Sequence, residues 1–203
     1  MHVLYVDLDV YHAIDTPIGF VCLMREHGDK YIVVDNNDSS HITDVCRYRY
    51  DKVYDGKLYS SGTYKPYLKF IAPHYLIFAN KNDGLCCVDV SKITKGSLTK
   101  ADITLTLKYN VQDIDTFVVS KISKIVTVSY NGKISVISLN QQSMVVDKTV
   151  TIPDAIDGKV VVTAVVHVND RFLVAAHDKQ KDTNMLILLN HDLDKLGNSV
   201  MIK

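Results

Sequence analysis

DTFVVSKISKIVTVSYNGKISVISLNQQSMVVDKTVTI, residues 115–152, contains two apolar runs, an Asn-Gly pair, a third apolar run and a fourth. The first run covers 116–120. After a break at 121–123, the second (124–130) carries Ile125, Val126, Val128 and Tyr130. Asn131-Gly132 predicts a hairpin of type I′, because both central residues of that turn need positive φ and these two tolerate it. The third run, 133–139, carries Ile134, Val136, Ile137 and Leu139. Beyond 140–143, the fourth run, 144–152, carries Val145, Val146, Val150 and Ile152. Four short antiparallel strands follow from this pattern.

The same order recurs on both sides. Downstream, 160–168, 171–177, 184–190 and 198–203 are separated at Asn169-Asp170, 178–183 and 191–197. Upstream, 67–72, 75–81, 84–90 and 102–108 are separated at Pro73-His74, at Asn82-Asp83 and by a longer loop. A first copy reads as 3–10, 18–25, 30–35 and 42–50, with 11–17 as a connection between its first two strands. Second strands beginning at Gly19, Tyr75, Lys124 and Arg171 are spaced by 56, 49 and 47 residues. That period lies near the roughly 40–50 residues of a propeller blade. A four-stranded unit cannot bury both faces alone, whereas stacked units cover one another. The expected fold is therefore all-β and β-propeller-like, with about four four-stranded antiparallel blades. The alternative is a β-sandwich or a double Greek-key barrel, which share regular short strands with turn signals. The expected organisation is a single all-β domain over 1–203 with units at 1–55, 66–108, 115–152 and 160–203, either a four-bladed ring or part of a larger propeller.

In this architecture the chain resembles β-propeller proteins of the WD-repeat-like kind over nearly its whole length. The resemblance lies in strand order. The positions of the family's closing dipeptide hold Val34-Asp35, Asp89-Val90, Ser138-Leu139 and Leu189-Asn190, and there is no Trp. What the resemblance implies is a rigid platform whose loops bind another macromolecule.

Composition sets outer bounds. A chain of 203 residues that is 47% hydrophobic and 23% charged suits one all-β body with a sizeable core. No stretch approaches the roughly 18 consecutive apolar residues of a membrane helix, and no signal-peptide pattern opens the chain, so no membrane and an intracellular location, cytoplasmic or nuclear, are expected. Cys22, Cys46, Cys86 and Cys87 lack CxxC spacing and read as reduced core thiols. Acidic and basic residues balance at 23 each, which disfavours a chain-wide phosphate-binding surface and makes nucleic acid a less favoured partner.

Two regions offer chemistry. Arg47, Tyr48, Arg49 and Tyr50 alternate charge and aromatic ring, and Tyr54, Tyr59 and Tyr64 follow. Tyr and Arg supply interface anchors, so this segment is the expected protein-binding region. The other is Asp7-Leu8-Asp9, two carboxylates on one face of a strand that could hold Mg²⁺. Its dozen surrounding residues look like the first motif of haloacid-dehalogenase-like phosphatases and the metal-binding strand of lesion-bypass polymerases. Both resemblances imply α/β structure downstream, and no helical apolar spacing follows. Eight histidines are scattered at positions 2, 12, 27, 41, 74, 167, 177 and 191, several at turns, with no close metal-spacing pair.

The expected function is a noncatalytic protein-interaction scaffold in a multiprotein assembly, with a protein partner or self-association and no cofactor. One alternative is a metal-dependent phosphoesterase or nuclease using Asp7, Asp9 and loop histidines. Another is binding of a small ligand or carbohydrate.

Overall fold

The computed structural model describes residues 9–16, 19–25, 29–34, 42–47, 68–80, 84–89 and 103–202, with side chains for 69–79, 84–89 and 103–202. Sixteen strands form four four-stranded sheets among these residues. The first sheet holds β1 (Asp9–Thr16), β2 (Gly19–Arg25), β3 (Asp29–Val34) and β4 (Ile42–Arg47). The second holds β5 (Leu68–Ile71), β6 (Tyr75–Asn80), β7 (Gly84–Asp89) and β8 (Ile103–Leu105). The third holds β9 (Asp113–Val119), β10 (Ile122–Val128), β11 (Lys133–Leu139) and β12 (Met144–Thr151). The fourth holds β13 (Val160–Val168), β14 (Arg171–Asp178), β15 (Thr183–Leu189) and β16 (Val200–Ile202). Every sheet is a meander in chain order, as the repeat predicts. None has the fourth strand beside the first, the arrangement a Greek key requires.

By compactness the chain divides into residues 1–77 with 87–102, and residues 78–86 with 103–203. In the second of these units the third and fourth sheets share one core. Phe117, Val126 and Val128 of one sheet pack with Phe172, Val174 and Ile187 of the other. The alternating burial of β14, with Phe172, Val174 and Ala176 inward, is the period-two pattern of a strand with one covered face. Central β11 is buried over most of its length, which requires cover on both faces. Every residue of β7 is buried, and Cys86 and Cys87 within it are reduced, in keeping with the reading of reduced core cysteines at these two positions.

Several local expectations are corrected. The first strand was expected at 3–10, with 11–17 as a connection, but β1 occupies Asp9–Thr16 and Thr16 already pairs with Gly19. A register shift between Val10 and His12 explains the misreading. One extra residue moves later side chains to the opposite face and breaks the alternation on which the reading depends. In the third sheet, the first two strands begin three and two residues earlier than the apolar runs suggest, because Ser120-Lys121 forms the tight turn. Both residues have positive φ, 49° and 66°, as a type I′ turn requires. Asn131-Gly132 does turn the chain, but only Gly132 has positive φ (80°). The Gly132 N–H donates to the Ser129 carbonyl at 3.0 Å, and the Ser129 N–H donates to the Lys133 carbonyl at 2.8 Å. This is a three-residue connection with glycine in the left-handed position, so Asn131 need not be left-handed.

A row of hydroxyls crosses the third sheet. Thr127 faces Ser135, which faces Thr149, and the Ser135 and Thr149 hydroxyls are 2.6 Å apart. The Tyr109 hydroxyl donates to Ser135 Oγ at 2.6 Å and lies 2.6 Å from Thr127 Oγ1. Burial holds the Tyr109 phenol above its ordinary 10.0, outweighing the lowering effect of its hydrogen bonds with Ser135 and Thr127. The unfolded chain therefore releases this proton at a lower pH than the native state, and the native state binds more protons. Stability should fall as pH rises past about 10. Tyr109→Phe should cost about 1 kcal/mol at neutral pH and flatten that alkaline loss. Denaturant titrations of both proteins across the alkaline range check this; parallel curves would count against it.

Candidate site at the end of the fourth sheet

Antiparallel order determines which turns meet. The β13–β14 turn and the β15–β16 connection lie at the same end of the fourth sheet, because Phe172 pairs with His167 on one side and Leu189 on the other. The β13–β14 turn is Asn169-Asp170, with φ values of 47° and 59°, a conformation these two side chains tolerate better than most. It presents Asp170 outward. His191, two residues past Leu189, folds back over Phe172 and reaches His167.

The imidazoles rest on an aromatic floor. The His167 ring stacks on Phe117 at 4.4 Å between centroids, and the His191 ring stacks on Phe172 at 5.6 Å. Phe117 and Phe172 meet edge to face at 5.3 Å, a favourable arrangement of ring quadrupoles. The two Nε2 atoms are 3.1 Å apart, and Asp170 Oδ1 lies 3.9 Å from His191 Nε2. One ligand atom from each of His167, Asp170 and His191 falls within 4.8 Å of the others. Burial against the rings holds His167 below the ordinary imidazole value, reinforced by His191 and opposed by Asp115 and Asp170.

The backbone below is tied by carboxylates of β9. Asp113 Oδ2 accepts the Val165 N–H at 2.8 Å, while its Oδ1 accepts the Ile114 N–H at 2.8 Å. Asp115 Oδ2 accepts the His167 N–H, also at 2.8 Å. Residues two apart on β9 thus hold residues two apart on β13, as strand periodicity allows. This clasp bears on Asp9. Asp9 opens β1 and pairs with Arg25 at the end of β2; Asp113 opens β9 and pairs with Val128 at the end of β10. Asp9 occupies the register position at which its counterpart serves as a backbone acceptor.

Other sequence-predicted residues fall as follows. Arg47 closes β4, and Tyr48, Arg49, Tyr50, Tyr54, Tyr59 and Tyr64 lie outside the described residues, as does Asp7. His74 lies in the β5–β6 turn with Nε2 3.7 Å from Asp89 Oδ2, and His177 Nε2 lies 3.5 Å from Asp182 Oδ1. Among the described residues, no helix is long and apolar enough to cross a membrane.

No family model matches the sequence, and no curated protein matches it. Among solved structures, the chain is similar to one from the S. cerevisiae assembly of Dbp5 bound to Nup159, Gle1, IP6 and ADP. The TM-score is 0.58 at 14% identity, covering 96% of this chain and 47% of that one. It is also similar to the crystal structure of the N-terminal domain of Nup159, with a TM-score of 0.57 at 14% identity, covering 95% of this chain and 47% of that one. The chain spans about half the length of these solved chains. At such identity the likeness concerns fold, and it agrees with the meander sheets: the protein has an all-β, propeller-like fold.

Proposed function

We propose that the chain is a noncatalytic protein-interaction scaffold that contributes a propeller-like surface to an assembly. The observation that carries this reading is β16. Val200, Met201 and Ile202 are 62%, 42% and 44% exposed, and among the described residues β16 is hydrogen-bonded only to β15. An apolar strand at a sheet edge is a template for strand addition by another chain. The solved assembly in which Nup159 is bound with Dbp5 and Gle1 supports a platform role for this fold. Arg47, Tyr48, Arg49, Tyr50, Tyr54, Tyr59 and Tyr64 form the proposed contact segment, and β16 a second surface. An intracellular location goes with this reading.

The test is affinity purification of the tagged chain from its native extract, with the mass of the eluted species determined by light scattering. A stoichiometric protein partner is expected. Tyr48→Ala with Arg49→Ala should release it if the contact lies in the tyrosine segment, and Val200→Asp should release it if the contact is β16. A bare monomer, or a partner retained by both variants, would overturn the reading.

A further inference from the structure

We infer that His167, His191 and Asp170 form a binding site for a transition-metal cation of the Zn²⁺ class, with two imidazole Nε2 atoms and one carboxylate oxygen as ligands. The inference stands on side-chain geometry and is independent of the scaffold reading. Zn²⁺ holds imidazole nitrogens at about 2.0–2.1 Å, so two of them in tetrahedral coordination are about 3.3 Å apart. The Nε2 atoms of His167 and His191 stand 3.1 Å apart, within a few tenths of an ångström of that separation. Each ring contributes its Nε2 to this contact, which is the pair of nitrogens a single bridging cation would take.

The third ligand is close and free to adjust. Asp170 Oδ1 is 3.9 Å from His191 Nε2, and its side chain is 94% exposed at the tip of a two-residue turn. All three ligand atoms lie within 4.8 Å of one another, so a change of rotamer at the exposed Asp170 side chain closes the triangle while the packed imidazoles stay in place. The imidazoles, by contrast, are already oriented: Phe117 and Phe172 fix the ring planes, and Asp115 holds the His167 backbone. Fixed donors with one mobile carboxylate lose little freedom on binding. Two nitrogens and one oxygen suit Zn²⁺, Ni²⁺ or Cu²⁺ better than Mg²⁺ or Ca²⁺, which prefer oxygen ligands. Three protein ligands leave a fourth position for water or for a donor from a bound partner. The competing arrangement is a plain hydrogen bond, in which one imidazole N–H donates to the other ring's lone pair.

The two arrangements are separated by titrating chelator-treated, dialysed protein with Zn²⁺ in a calorimeter and with Co²⁺ by visible absorption. One equivalent of Zn²⁺ should bind, and Co²⁺ should give the ligand-field bands of a low-coordinate site. His191→Ala should abolish both signals. Asp170→Asn, at an exposed position where folding is not at stake, should weaken binding about tenfold or more, since even outer-shell changes cost roughly that much. His177→Ala, in a different hairpin, should change nothing. Wild-type binding no tighter than that of Asp170→Asn, or a loss in His177→Ala equal to that in His191→Ala, would overturn the site.

Discussion

Phe172→Ala is expected to lower stability by about 3–5 kcal/mol, the range for deleting a fully buried aromatic ring. Phe172 is completely buried, pairs with His167 and Leu189 on its two neighbouring strands, and meets Phe117 edge to face. It therefore lies in the layer shared by the third and fourth sheets, where an emptied volume is lined by strands that cannot close over it independently. Part of the loss is transfer of the ring to water, part is the residual cavity, and about 1 kcal/mol is the ring–ring geometry. For a chain of this length the midpoint of thermal unfolding should fall by about 10 °C. Phe172→Leu, which keeps apolar volume and loses the ring, should cost well under half as much. Thermal melts followed by circular dichroism read both. A loss below about 1 kcal/mol for Phe172→Ala would mean that the two sheets do not share this core.

How much of this was legible in sequence depends on the range over which each feature is specified. Strands β11 and β13 fall at the boundaries expected from their apolar runs, 133–139 and 160–168. There, alternation and turn residues act over a few neighbours and agree. β1 failed because a single bulged residue inverts a period-two pattern. Ser120-Lys121 failed for a different reason: neither residue favours positive φ, so the surrounding sheet twist imposes the turn against local preference. The histidine site was not legible as a motif, since His167 and His191 stand 24 residues apart. Its trace was topological. In a meander, the turn between strands one and two and the connection between strands three and four share an end, and both carry histidine or aspartate here. The β9 pair Asp113 and Asp115 shows the converse. An acidic D-x-D strand suggests a metal, yet this pair spends its oxygens on the N–H groups of Ile114, Val165 and His167.

Gly84→Ala is the other substitution with a large expected effect, about 2–4 kcal/mol. Gly84 opens β7 with φ of +77°, a region in which a Cβ costs roughly 1–2 kcal/mol. Space makes matters worse. A Cβ there would stand 2.3 Å from the Leu105 carbonyl oxygen and 2.7 Å from the Leu107 nitrogen, both backbone atoms. A side chain could swing aside, but these atoms belong to the chain at the end of β8, and moving them disturbs the sheet edge itself. Overpacking of this kind adds about 1–3 kcal/mol. The reduced freedom of alanine in the unfolded chain returns only about 0.4–1 kcal/mol. Gly158 separates the two causes: its φ is +72°, and a Cβ there meets nothing within 4 Å. Gly158→Ala should therefore show the conformational cost alone, about 1 kcal/mol, and the difference between the two variants in denaturant midpoints measures the steric part. Equal losses would mean that backbone conformation accounts for both and that the backbone at the end of β8 yields to the added methyl.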